Sequence, residues 1–231
     1  MNLIDEIYTK YPFYGSRRIK KELSKYHRLK VNRKRIQRLM DQMGIEAVYP
    51  KKNTSKSNSQ NKIFPYLLRN LTIKKPNHVW GTDITYVRLN QGFAYLAAIM
   101  DWFSRYVISW EISPTLEIEF VLNNLKRALR VRSPQIHNSD QGSHFTSKEY
   151  TGILQTDNIQ ISMDSRGRCM DNIFTGRLWR TIKYENIYIN SYQDISDLKS
   201  GLEKYFDFYN NHRIHSKLDD QTPREVYLTK Y

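Results

Sequence analysis

Val79-Trp-Gly-Thr-Asp-Ile-Thr-Tyr-Val87 sets an acidic residue, Asp83, inside a run of β-branched and aromatic residues. That composition predicts a strand. A carboxylate on the buried face of such a strand is costly unless it is paired, hydrogen-bonded or bound to a cation. The pattern alone equally allows Asp83 to point outward into water. Gln91-Gly92 then marks a turn before a second apolar run, Phe93 to Met100, so the two segments read as a hairpin. A third run, Arg105 to Ile112, follows the short turn Asp101 to Ser104 and predicts an antiparallel neighbour.

Downstream the period changes. Ile118, Val121, Leu122, Leu125 and Leu129 mark one face of a helix over Leu116 to Val131, which Ser133-Pro134 ends. Gln135 to Ser139 reads as a short strand running into Asp140-Gln-Gly-Ser-His-Phe. At a strand end Asp140 is either a turn former or a ligand-bearing group. A helix over Ser147 to Leu154, a strand over Ile159 to Met163 and a helix over Asp171 to Glu185 come next. The last of these is capped by Asp171 or Asn172 and striped by Phe174, Leu178 and Ile182. Helices over Ile195 to Tyr209 and from Thr222-Pro223 complete the chain. Strands and helices in this order predict an α/β domain with a mixed sheet.

Upstream, Lys51 to Gln60 lacks any apolar residue and reads as a linker. The expected division is a small all-α domain over 1–50, a linker over 51–75 and the α/β domain with a helical extension over 76–231. The front domain predicts three helices. Ile4, Ile7, Tyr8 and Tyr11 stripe the first; Ser16 is the expected N-cap of the second, with Ile19, Leu23 and Tyr26; the third follows Asn32 with Ile36, Leu39, Met40 and Met43, and Gly44 stops it. Its basic residues include Arg17, Arg18, Arg33, Lys34, Arg35 and Arg38. A helix-turn-helix places its final helix in the major groove while other cations hold phosphates. A small bundle with a solvated basic face is the alternative.

The net charge of +14 favours a polyanionic partner. Residues 1–60 hold 15 Lys/Arg against 5 Asp/Glu, so +10 of the excess lies there. Cys169 is the lone cysteine, which excludes an intrachain disulfide framework or a cysteine-based zinc site and suits a reducing cytosol. The longest apolar run, Phe93 to Met100, is far short of a bilayer span. Two aspartates from separate strands could share a divalent cation, Mg²⁺ or Mn²⁺ by the hardness of their oxygens. Paired ions about 3.5–4 Å apart can activate an attacking oxygen and neutralise a leaving one in phosphodiester chemistry. A third acid is expected nearby.

Trp80-Gly-Thr-Asp83-Ile-Thr-Tyr, Asp101-Trp-Phe-Ser-Arg105, Asn138-Ser-Asp140-Gln-Gly-Ser-His-Phe-Thr, Ser162-Met-Asp-Ser-Arg-Gly-Arg and Asp171-Asn-Ile-Phe…Arg-Leu-Trp-Arg…Lys-Tyr-Glu185 resemble the second-frame transposase of the insertion-sequence-3 group. Tyr14-Gly-Ser-Arg-Arg, Asn32-Arg-Lys-Arg-Ile-Gln-Arg-Leu-Met and Tyr209-Asn…Arg213-Ile-His…Thr222-Pro-Arg-Glu extend the resemblance to nearly the whole chain. It implies a ribonuclease-H-like mixed sheet flanked by helices, as in a retroviral-integrase-type core, behind a helix-turn-helix. The implied activity is strand cleavage at element ends and strand transfer into target DNA by an Asp, Asp, Glu triad holding two Mg²⁺ ions. The implied partners are the element's terminal repeats, target DNA, further copies of the chain on DNA and a first-frame transposase subunit, with a cytoplasmic, nucleoid-associated location and no membrane.

Asp83 and Asp140 match the first two members of that triad. The family places 35 residues between the second Asp and the Glu, and here that spacing lands on Gly176. The chain thus departs from the family at the catalytic glutamate, which implies impaired catalysis and weakened metal binding, or a DNA-end-binding protein that inhibits intact transposase. Glu185 stands nine residues further along the helix, about 13 Å in rise and half a turn out of phase, and cannot substitute. Glu149, Asp164 and Asp171 lie on other elements or at the cap. Asn172, Arg180 and Lys183 fall on the face of Gly176, where the basic pair could hold DNA phosphates or merely be solvated. Trp179 reads as a core residue.

Overall fold

The computed structural model describes residues 1–48, 62–90, 92–164 and 173–229. Asp171 as a helix cap, Asn172 as a DNA contact and Cys169 as inert packing lie outside the described residues. The chain divides into two compact units, Met1–Lys56 and Ser57–Tyr231.

In the first unit, α1 (Asn2–Lys10), α2 (Ser16–Tyr26) and α3 (Arg33–Gln42) bury Ile4, Ile7, Ile19, Leu23, Ile36 and Met40 against one another. These positions step by three and four, so each helix turns one stripe inward. Asn32 caps α3 by accepting a hydrogen bond at 2.9 Å from the Lys34 amide. Gly44 ends the helix at φ +65°, a conformation that costs glycine little. Gly15, not Ser16, occupies the N-cap of α2, and Ser16 is its first helical residue. Arg17, Arg18, Arg33, Lys34, Arg35 and Arg38 are all exposed.

The second unit is built on a five-stranded sheet in the order β3-β2-β1-β4-β5. β1 (Val79–Leu89), β2 (Gly92–Asp101) and β3 (Val107–Ser113) are antiparallel neighbours, while β4 (Ile136–Ser139) and β5 (Gln160–Met163) run parallel to β1. The sheet is mixed, as expected. Alternation sorts its side chains. Val79, Val87, Leu96, Ala98 and Met100 form one core with α6 (Ile173–Ile182) and α8 (Ile195–Asn211). Trp80, Ala97 and Ile99 form the other with α4 (Ile118–Val131) and α5 (Lys148–Thr156). α7 (Tyr188–Asn190) and α9 (Pro223–Leu228) complete the α-helices of the described residues, with a 3-10 turn over Ser216–Leu218 between α8 and α9.

Residues 62–75, assigned to the linker by composition, are packed on this unit. Leu68 is buried in the α6–α8 core, the Leu67 amide donates to Ser162 Oγ at 3.0 Å, and the Met163 amide donates to the Pro65 carbonyl. Their apolar residues, among them Ile63, Phe64, Leu67, Leu68 and Ile73, join neither a helix nor a strand. The helix expected over Asp171 to Glu185 is regular only to Ile182 and widens into a π-turn over Lys183–Ile187. The third strand starts two residues late because the Asp101 carboxylate gathers the turn before it. Asp101 accepts from the Ser104 amide and hydroxyl at 2.8 and 2.6 Å and from the Asn77 amide at 2.7 Å.

Candidate active site

The parallel register brings the two aspartates together. β1 pairs with β4 at Val79↔Ile136, Trp80↔His137 and Gly81↔Asn138, and two further residues along each strand lead to Asp83 and Asp140. β4 pairs with β1 only over Val79–Gly81, so beyond Gly81 this edge of β1 is free of a strand among the described residues. The aspartates flank the place where the two strands part.

Each carboxylate is held. Asp83 Oδ2 accepts from Trp179 Nε1 at 3.0 Å, and Oδ1 accepts from the Ile84 amide at 2.8 Å. Trp179 is buried in the core beneath α6, so its indole both packs and aims the carboxylate. The sequence suggests only packing, because nothing in the spacing pairs an indole N–H with an acid 96 residues away. Asp140 Oδ1 folds back to accept from the Gly142 amide at 2.8 Å. A Cβ on Gly142 would sit 2.8 Å from that same oxygen, so glycine is needed for the carboxylate to lie there. Gly81 serves the same end of the sheet, since a Cβ there would run into the Trp102 indole.

Burial first, and then the negative charge of Asp140, push the Asp83 carboxyl up to about 6. The Trp179 and Ile84 hydrogen bonds and the Lys183 ammonium act the other way. Burial also raises Asp140, against the Gly142 hydrogen bond and the nearby His144. Lys183 is itself lowered by burial and raised by Asp83. Two carboxylates that burial and repulsion disfavour as anions have the donor chemistry for a divalent cation.

Gly176 is exposed on α6, and a Cβ built there meets nothing within 4 Å. Among the described residues no group of three or more His, Cys, Asp or Glu is disposed to hold a metal. Glu149 is exposed in the first turn of α5. Asp164 is buried and accepts from Asn138 Nδ2 at 2.8 Å. Glu185 takes a paired hydrogen bond from Arg213, at 2.9 and 2.6 Å, and another from the Tyr205 hydroxyl at 2.8 Å. That acid braces the π-turn against α8. Arg180 is exposed beyond Gly176, and Lys183 is half-buried on the Asp83 side.

Residues 73–169 and 157–223 each match an integrase core domain, and residues 1–53 match an HTH-like domain. The chain is 32% identical to the transposase of insertion sequence element IS904 from Lactococcus lactis subsp. lactis (strain IL1403), over 92% of this chain and 86% of that one. It is 30% identical to the transposase of insertion sequence element IS629 from Shigella sonnei, over 94% and 75%. In fold it matches the catalytic core domain of HTLV-2 integrase in complex with magnesium, with a TM-score of 0.54 at 19% identity over 66% of this chain and 97% of that one. No helix of the described residues is long and apolar enough to cross a membrane.

Proposed function

Since the chain belongs to the family of insertion-sequence transposases with an integrase core, of the insertion-sequence-3 group, we propose that it is a DNA transposase whose own phosphoryl-transfer step is impaired at Gly176. The observation that carries this reading is the pairing of Asp83 and Asp140 at the parting of β1 and β4 with an open position at Gly176.

In this reading Asp83 and Asp140 hold Mg²⁺, which when bound would activate the attacking oxygen and steady the leaving one at a DNA phosphodiester. Trp179 keeps the Asp83 carboxylate turned toward that position, and Gly142 keeps Asp140 folded onto the loop. Lys183 and Arg180 bind the DNA phosphates flanking the scissile bond. Without a glutamate at 176, two carboxylates balance less of the cation charge, and binding is weakened. Arg17, Arg18, Arg33, Lys34, Arg35 and Arg38 bind the element's ends through the front domain, which we assign to residues 1–50 ahead of a linker and a core over 76–231. The chain works as a homo-oligomer on DNA, beside the nucleoid, with a first-frame subunit as a companion.

A Mg²⁺- or Mn²⁺-dependent strand-transfer assay on the element's ends, run on the chain and on Gly176→Glu, tests this. The glutamate variant is expected to be the more active by orders of magnitude, and equal activity refutes the impairment. The exposed Arg180 and the Lys183 ammonium acting electrostatically near Asp83 favour a second reading, in which the chain binds ends and inhibits intact transposase. End binding by both forms with no strand transfer by either supports that reading.

A further inference from the structure

Four rings, two on the β1–β2 hairpin and two beyond α6, are left uncovered. Tyr86 and Phe93 on the β1–β2 hairpin are 63% and 53% exposed, and Tyr184 and Tyr188 beyond α6 are 66% and 62% exposed. Single exposed rings are ordinary, but these form two edge-on pairs, Tyr86–Phe93 at 6.0 Å and Tyr184–Tyr188 at 5.4 Å between centroids. Each pair has a cation on it. Lys183 Nζ lies 5.1 Å from the Tyr86 centroid, and Arg180 Cζ lies 5.9 Å from the Tyr184 centroid. Arg88 and Tyr188 meet across an open cleft of about 430 Å³ that also includes Asn90 and Tyr192. Lys183 ties the surface to the site, since its ammonium acts on Asp83.

We propose that this surface of rings and cations holds an unpaired DNA strand, its bases stacked on Tyr86 and Tyr184 and its phosphates on Lys183, Arg180 and Arg88. The inference rests on the transposase reading of the same site and adds which form of DNA enters it. An intact duplex offers phosphates on its flank and hides its base faces, so it would use the cations and leave the rings in water. A strand with unstacked bases uses both, because every base has a flat apolar face for an aromatic platform and a phosphate for a nearby cation. A second copy of the chain offers these cations no excess of acid, since its residues 61–231 carry 22 Lys/Arg against 18 Asp/Glu, a net +4.

The full chain is titrated against two DNA ends of one sequence, a blunt duplex and the same duplex with its last few base pairs mismatched. 2-Aminopurine in the mismatched stretch reports stacking. The expected result is tighter binding of the unpaired end with quenching of the probe. Tyr86→Ala and Tyr184→Ala each weaken that binding about fivefold or more, leave the blunt duplex unchanged, and are rescued by phenylalanine at the same position. Equal binding of both ends, or unpaired-end binding indifferent to the alanines, overturns the proposal while leaving the transposase reading intact. Loss of self-association in the alanine variants without loss of DNA binding would instead assign the surface to a second copy. Failure to bind either end, at any salt, would refute the DNA reading itself. Since the rings are exposed, melting curves of the variants matching the parent separate these outcomes from misfolding.

Discussion

Replacing Asp83 by asparagine removes a buried negative charge while keeping the shape and an acceptor for the Trp179 indole. Burial and Asp140 raise the Asp83 pKa from 3.8 to about 6. At 1.36 kcal/mol per pH unit, that rise makes the ionised group cost the fold about 3 kcal/mol. The sign follows from proton binding. The folded chain holds this proton more tightly than the unfolded chain, so the contribution of Asp83 to stability is greatest below pH 3.8, falls as pH rises, and has lost the full amount above about 6. Asparagine resembles the protonated acid at every pH. The stability of Asp83→Asn relative to the parent is therefore expected to shift in the variant's favour by about 3 kcal/mol between pH 3.5 and pH 7, whatever the constant cost of turning the amide nitrogen to the Ile84 or Trp179 donor. In a unit of this size that is about 6–12 °C in melting temperature. Thermal unfolding by circular dichroism across this pH range, without divalent cations, measures the gap. Excess Mg²⁺ should narrow it by stabilising only the parent. A gap that is unchanged between pH 7 and pH 3.5 would refute the account of Asp83 as a buried, repelled carboxylate.

Trp179→Phe keeps most of the packing but removes the hydrogen bond to Asp83, so the pH midpoint of the parent's stability loss should move upward when followed by the same melts. Gly81→Ala drives a Cβ into the Trp102 indole and should destabilise the core unit by about 1–3 kcal/mol in urea titrations. The Arg213 hydrogen bonds hold the Glu185 carboxyl below its usual range, so Glu185→Gln should cost about 1 kcal/mol or less at neutral pH, with the difference fading as pH falls through the folded-state pKa. Asn32→Ala removes the cap of α3 and should cost the front unit about 1 kcal/mol, read as a lower melting temperature and weaker end binding.

Periodicity made most elements legible because each signal is local. The apolar stripe of α3 with Asn32 before it, and the alternation of β1 and β2, need only neighbours in sequence. The segment at 62–75 escaped that reading because its order comes from Ser162, Met163 and the core under Leu68, about 95 residues away. The π-turn at Lys183–Ile187 escaped it for a similar reason, since it coincides with the Glu185–Arg213–Tyr205 cluster that draws the chain toward α8.

Sequence by itself determined the α/β order of strands and helices and the cationic front bundle, while the 35-residue interval that ends on Gly176 took its meaning only from the family resemblance. These are properties of spacing and residue type. Whether Asp83 faced water or the core was left open by the strand pattern, and the tertiary structure decided it. The β1–β4 register brings Asp83 to Asp140, and the packing of α6 lays Trp179 against it. That packing also leaves the position of Gly176 open. Meeting of side chains from separate elements depends on register and packing, which no single segment encodes.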